Sequence, residues 1–473
     1  MLYPVRHLIV CGLAAALLVQ SPVAQAQALA QVRPAKAKPP AAPPAEAPPS
    51  QGRCQEEEAG VSRSGRDASM VETGDADPRV QLQELVQMAL QRSRPIGVAR
   101  LLALAAQADL EETEASRLPQ VSLSTTAGYA GSIVAGISQP RGLQGRASIN
   151  VSAPLYDSGR ITKLTEWRGQ LAEAAKFGQS SAEEQLSLQT VSLALDRSRY
   201  VLQAQVYTQY VRKMACLVDA LEIITKSDRG RASELVQAQK SLQQADLAYE
   251  QTLTALRQTE VRMRRLVGDT LPPAASMSAV LAQVPDLEQM QTDILLAPDV
   301  SQANAQAKAQ RSYAESVLAG QKPSVSLLMN GSSTVGTGKA TEWIGGVAIN
   351  IPLYQPGADA SLTAAARRSQ AAALQRDETI DAKRYRLLEM YETANSSLDR
   401  ARRVVDILRN SDRVRASTLQ QWQQLGRRSL FDVMGAEGDY YSMRIAHVNA
   451  LFDAQQVVAM MWSMGRGVIT PLR

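Results

Sequence analysis

Apolar residues recur along this chain in two rhythms. Val121, Leu123, Thr125, Ala127 and Tyr129 alternate with Ser122, Ser124, Thr126 and Gly128, and after a glycine-rich stretch Ile149 and Val151 alternate with Ser148, Asn150 and Ser152 before Pro154. A period of two places each set on one side of a pleated strand, so the spacing predicts a pair of strands. Beyond Pro154 the spacing changes to threes and fours. Tyr207, Tyr210, Met214, Leu217, Leu221 and Ile224 follow it, as do Leu387, Tyr391, Ala394, Leu398, Ala401, Val405 and Leu408. These are heptad seams of coiled-coil type. No proline falls between Leu155 and Leu271, or between Gly357 and Thr470, although the chain holds 22. Glycine after a periodic run stops a helix, so each run is expected to fold into two helices, broken near Gly230 and near Gly426. The longer arm, about 65 residues from near Gly159, would reach ~100 Å at ~1.5 Å per residue.

The order of these signals is written twice. Asp77-Pro78 reads as a helix start, with Asp as cap and Pro at the first helical position. Pro95, a helical stretch, Pro119, a strand, a glycine-rich loop, a second strand and Pro154 then return as Pro298, a helical stretch, Pro323, the alternating VSLLMNGSS, a glycine-rich loop, the alternating WIGGVAINI and Pro352. INVSAPLYDSG at 149–159 and INIPLYQPG at 349–357 are the matching points where strand gives way to helix. An internal duplication is the simplest reading. Pro154 and Pro352 are expected to stop the sheet ladder, and Gly159 and Gly357 to turn the chain into the helix. Four strands cannot close a barrel alone, and bare edges in lipid would cost several kcal/mol per unpaired group. Trp343, Val347, Ile349 and Ile351 give one apolar face against small and polar residues on the other, which suits lipid outside and water inside.

Composition narrows the class. Aromatic residues are 4 % of the 473, with only three Phe, which disfavours thick globular cores and fits long helices. The first 26 residues, with Arg6 and His7, an apolar run from Leu8 to Val19 and small residues at 24–26, have the layout of a cleaved export signal. Residues 27–76 are rich in Pro and Ala and read as a disordered linker. The remaining organisation is a first structural repeat over 77–290, a second over 291–467 and a tail over 468–473. The net charge of +5 comes from 51 basic and 46 acidic residues mixed along the chain, which argues against a nucleic-acid partner. No later run of about 18 apolar residues suggests a membrane helix. Cys54 and Cys216 remain after the signal, and a chain this large does not need a disulfide.

Three chemical signals fade on inspection. GSSTVGTGKA at 331–340 lacks phosphate-loop spacing and precedes a strand, so it reads as a hairpin loop. His7 and His447 are the only histidines, which leaves no histidine metal site or histidine-based catalysis. Glu183-Glu184 reads as a solvated pair on a helix. No cofactor, metal or enzymatic activity is expected.

Arg94-Pro95, Leu118-Pro119-Gln120-Val121, INVSAPLYDSG, GRASELVQAQ at 230–239, Lys322-Pro323-Ser324-Val325, INIPLYQPG and GRRSLFDVMGAE at 426–437, in that duplicated order, resemble the TolC family of outer-membrane efflux and secretion channel proteins. The resemblance implies a mainly α fold with a small β part: duplicated long α-helical coiled-coil hairpins and four membrane β-strands per chain. It also implies a homotrimeric α-barrel/β-barrel in the outer membrane of a Gram-negative bacterium, contacting lipid, with a periplasmic tunnel. The partners it implies are a periplasmic adaptor protein and an inner-membrane ABC or proton-driven pump. Its hairpin tips would face the adaptor at Gly230, Ser233, Gly426 and Ser429. Arg428, Asp432 and Glu234 would form the periplasmic constriction, whereas without the resemblance they read as surface charges near a turn. The function implied is a passive exit duct, with tip sequences closer to type I protein secretion than to drug efflux. A pore-less periplasmic coiled-coil scaffold is the alternative of a different class.

Overall fold

The computed structural model describes residues 77–472 apart from 132, 135–136, 139–140, 274–276, 278 and 426–428. Helix α1 (Pro78–Arg92) starts where Asp77 accepts the Arg79 N–H at 2.9 Å, and α2 (Arg94–Ala115) starts where Ser93 accepts the Ile96 N–H at 3.4 Å. Each carries proline in its first turn, where the missing N–H costs no helical bond. Strand β1 (Gln120–Ala130) follows, then the two-residue β2 (Ile133–Val134) and β3 (Ile137–Ser138), and β4 (Gly142–Tyr156). Helix α3 (Arg160–Ser227) runs unbroken for 68 residues, about 100 Å, and α4 (Ala232–Val267) returns beside it. The short α5 (Leu287–Ile294) precedes α6 (Pro298–Ala319), β5 (Ser324–Gly336), β6 (Ala340–Asn350), α7 (Ala358–Leu425) and α8 (Leu430–Met464).

The duplication is visible in the lengths. α2 and α6 each have 22 residues, α3 and α7 each have 68, and α4 and α8 have 36 and 35. Strands β1, β4, β5 and β6 form one antiparallel sheet in that order. The helices above and below keep a matching order. α2 packs on α3, α3 on α6 and α6 on α7 at the sheet end, while α4 packs on α3, α3 on α8 and α8 on α7 toward the tips. Only α3 and α7 run through both levels.

The main core lies where these levels meet. Leu82, Leu85 and Val86 of α1, Leu195 of α3, Met263 of α4, Met290 and Ile294 of α5, Leu387 of α7 and Phe452 and Met461 of α8 are almost fully buried together. Glu184 lies here too, and it is not the solvated group expected from its sequence neighbours. It accepts the Val468 N–H at 2.7 Å and so ties the C-terminal segment to α3, while burial raises its carboxyl above the ordinary value despite that bond and Lys383 nearby. Cys216 on α3 is disulfide-bonded, against the expectation from chain size, and its partner lies outside the described residues.

Two sheet details differ from the sequence reading. Pro154 does not end the ladder: it pairs with Ser326, and after a bulge Tyr156 pairs with Val325. The extra residue of the bulge is Leu155, between Pro154 and Tyr156, so the ladder continues past the proline. In the second copy β6 stops at Asn350, before Pro352. The run at 331–340 is strand as far as Gly336, with Ser332, Ser333 and Thr334 paired on both sides. Only 337–339 turn, helped by the positive φ of Gly336 and Gly338 (98° and 79°).

Candidate functional site

The sheet has two chemically distinct faces. Register places Val121, Leu123 and Tyr129 of β1, Leu143, Ile149 and Val151 of β4, Met329 and Val335 of β5 and Trp343, Val347 and Ile349 of β6 on one side. Nearly all of these are exposed, Trp343 by 81 %. The other side carries Ser122, Ser124 and Thr126, Arg146, Ser148 and Asn150, Asn330, Ser332 and Thr334, and Glu342, interrupted by Leu328 and Ile344. Arg146 donates to Ser332 at 3.0 Å and lies 3.6 Å from Glu342, while Asn330 donates to Asn150. An exposed apolar face of this size is unfavourable in water. Strands of 11 residues at ~3.3 Å per residue, tilted by ~45°, give an apolar band of ~26 Å, the height of a membrane barrel's lipid face. The outer edges of β1 and β6 have no strand partner in this sheet.

At the sheet-to-helix junctions the chain turns in different ways. Asp157 accepts the Gly159 and Ile161 N–H groups, at 3.0 and 2.5 Å, and Ser158 and Gly159 adopt positive φ (54° and 83°) before α3 begins. Gly357 sits in a turn directly before α7 without positive φ.

At the far end, ~100 Å from the sheet, the two hairpin tips pack together through Met214, Leu217, Val218 and Leu221 of α3, Ala238 of α4 and Leu430, Val433 and Met434 of α8. At the first tip Asp228 accepts the Gly230 N–H at 3.0 Å and lies 3.5 Å from Arg231. Ser233 is exposed in the first turn of α4, and Glu234 beside it has one carboxylate oxygen out of solvent and without a hydrogen-bond partner. At the second tip Ser429 caps α8 reciprocally with Asp432. The Asp432 N–H donates to Ser429 Oγ at 3.3 Å, and the Ser429 N–H donates to the Asp432 carboxylate at 3.2 Å. Gly426 and Arg428 lie outside the described residues, so an Arg428–Asp432 gate contact is not among these observations.

One turn above the tip core lies a cluster that the motif reading passed over. Glu437 of α8 is fully buried, with Lys213 of α3 at 3.9 Å and Arg415 of α7 at 3.6 Å. Arg415 also pairs with Asp412 at 2.9 Å and lies over the Tyr440 ring at 4.4 Å, and Tyr210 stacks on Tyr441 at 4.8 Å. Burial alone would lower the Arg415 pKa, but Glu437 and Asp412 raise it above the ordinary value. Burial, then Glu437 and Asp439, raise Tyr210. This cluster joins both hairpins of one chain. Its sequence signal was a glutamate two residues beyond the glycine of VMGAEG, on a face that only the fold reveals.

A sequence model of the outer membrane efflux protein family matches residues 85–269. Among solved structures, the CusC channel is 19 % identical with a TM-score of 0.73, over 82 % of this chain and 92 % of that one. VceC of Vibrio cholerae, an outer membrane protein, is 17 % identical with a TM-score of 0.71, over 82 % and 97 %. This chain has the outer membrane efflux protein fold. The open-state outer membrane channel MtrE of Neisseria gonorrhoeae shares it too, at 16 % identity and a TM-score of 0.70, over 82 % and 89 %. Among curated proteins none matches. The resemblance to TolC-family channels drawn from the duplicated motifs is borne out, and with it the mainly α architecture of paired long hairpins and four strands. Within the efflux fold, the two-faced sheet and the packed tips are the parts open to chemical contact. Among the described residues no cluster of metal-ligating side chains occurs.

Proposed function

We propose that three copies of this chain form a passive duct through the outer membrane of a Gram-negative bacterium, their twelve strands closing one barrel and their helices continuing as a periplasmic tunnel. The observation that carries this reading is the exposed apolar sheet face with bare edges at β1 and β6, set on helices ~100 Å long. Four strands expose two edges, and closure with further copies removes them. The lumen would then be lined by Ser, Thr, Asn, Arg146 and Glu342. Such a wall holds water and carries no chemistry that could drive transport. Energy therefore comes from an inner-membrane pump, reached through an adaptor that docks at the tips around Gly230, Ser233, Gly426 and Ser429. Glu234, Asp432 and Arg428 form the tip constriction in this reading. Fractionation and planar-bilayer recording test the duct: the expected result is a trimer in outer membrane with ion-conducting pores. A non-conducting periplasmic protein would instead support the scaffold reading.

The cargo class is a finer proposal. The tip sequences GRASELVQAQ and GRRSLFDVMGAE support type I protein secretion, and the description of the matching family supports efflux. A deletion strain separates them. Loss of one secreted protein from the medium points to secretion, and heightened sensitivity to small toxic compounds with an unchanged secretome points to efflux.

A further inference from the structure

We propose that the covalent partner of Cys216 is Cys54, and that residues 54–76 of the same chain are seated along one face of α3, between the start of α1 and the tips. Only export to the periplasm is carried over from the duct reading.

Three Cys occur in the chain, and Cys216 is disulfide-bonded, which leaves Cys11 and Cys54 as partners. Cys11 lies in the apolar run of the export signal, which is removed as the chain reaches the oxidising periplasm. Cys54 stays with the mature chain. To form the bond, the two thiols give up two protons and two electrons. A disulfide-bearing oxidant of the periplasm accepts them and is itself reduced to a dithiol.

The direction of the chain fits this pairing. Gln81 and Leu85 of α1 line one small cavity with Ala194, Arg197 and Ser198 of α3 and Met263 of α4. From there α1 runs toward the sheet, where the Arg92 guanidinium lies against Gly268 at the end of α4. The first residue of α1 therefore points toward the tips. Ser198 and Cys216 are 18 residues apart, five helical turns, so they share one face of α3 at a separation of ~27 Å. The 23 residues that lead from Cys54 to Asp77 average ~26 Å end to end as a flexible chain, and reach ~76 Å when extended. The bond closes without stretching the segment.

This face of α3 also has charge to match. Ser198, Gln205, Arg212, Cys216 and Ile223 follow one another by sevens and fours, which keeps them in one stripe. On one flank Arg197 pairs with Glu260 of α4 at 3.1 Å, and on the other Lys213 lies 3.9 Å from Glu437 of α8, so the stripe runs between two neighbouring helices. Arg212 and Ile223 are exposed on it, and Cys216 is half-buried. Residues 55–76 carry six acidic and two basic side chains. Glu56, Glu57 and Glu58 come two to four residues after Cys54, and Arg212 stands one turn from Cys216 on the sheet side. The bond thus brings a run of carboxylates toward an exposed guanidinium.

The full chain, extracted from membranes without reductant, is alkylated and digested with trypsin. Mass spectrometry is expected to find peptide 54–63 joined to peptide 214–226, and the joined pair to vanish on reduction. Cys216 found as a free thiol, joined to Cys11 or joined to Cys216 of a second copy would overturn the pairing and leave the duct standing. The seating on α3 is read separately, by brief trypsin treatment of the folded chain. Cleavage after Arg63 and Arg66 is expected to be severalfold slower in the oxidised wild type than in Cys54→Ser, and Arg212→Glu is expected to speed it with the bond intact. Equal rates in all three would overturn the seating. A chain retained in the cytoplasm would overturn export, and the duct with it.

Discussion

The two hairpin tips occupy equivalent places in the duplicated chain and use acidic residues in opposite ways. At the second tip Asp432 is drawn into its own helix start, exchanging hydrogen bonds with Ser429, and Leu430, Val433 and Met434 behind it are buried against α3. At the first tip the local cap is Asp228, outside the helix, and Glu234 keeps a carboxylate oxygen without a partner. An acid that caps a helix is held in one geometry, whereas a half-buried carboxylate with an unsatisfied oxygen gains from any rearrangement of the tip that supplies a donor. We propose that a constriction at the tips would depend on Glu234 more than on Asp432, which its own cap already holds.

The contrast can be broken at four points. Glu437→Ala, which strips the buried anion from Lys213 and Arg415, should cost about 3–5 kcal/mol and loosen both tips together, measured as faster amide exchange in α3 and α8. Leu430→Ala removes the second tip's anchor and should cost about 2–5 kcal/mol, with exchange rising at the second tip more than at the first. Asp432→Ala should cost about 1 kcal/mol by chemical denaturation, and Asp432→Glu should recover most of it because glutamate serves the same reciprocal cap. Glu234→Gln should change stability by less than about 0.5 kcal/mol yet alter single-channel conductance or its sensitivity to cations. If Asp432→Glu alters conductance more than Glu234→Gln does, the order proposed for the two tips is wrong.

A pH effect away from the tips gives a reference. The raised pKa of Glu184 means that the folded chain binds this proton more tightly than the unfolded chain does. Its contribution is fully present below the unfolded carboxyl pKa and is lost as pH rises through the folded one. Denaturation midpoints should therefore fall across that window in the wild type, and less so in Glu184→Gln.

Much of the architecture was legible because it is periodic. Heptads, alternation and paired prolines are local statements, and they placed the long helices, the strands and the duplication close to where they lie. The misses are those where a distant partner decides. Pro154 stays in the ladder because Leu155 bulges beside it and lets β4 go on pairing with β5, and 332–334 are strand because β4 and β6 flank them. Glu184 and Glu437 look solvated beside their sequence neighbours, but a C-terminal segment covers one and three helices enclose the other. Among the candidate constriction residues, sequence supplied the positions, and only hydrogen-bond geometry separated a capping acid from one without a partner.

The equal span of α3 and α7, 68 residues each, also limits how such a chain can change over generations. Both helices start at the same sheet and end in tips that share one core, so inserting a heptad into one alone would push its tip ~10 Å past the other and pull Leu430 from Met214 and Leu221. Lengthening is tolerated only in matched pairs, and the two halves of the gene are bound to a common ruler although their side chains have diverged.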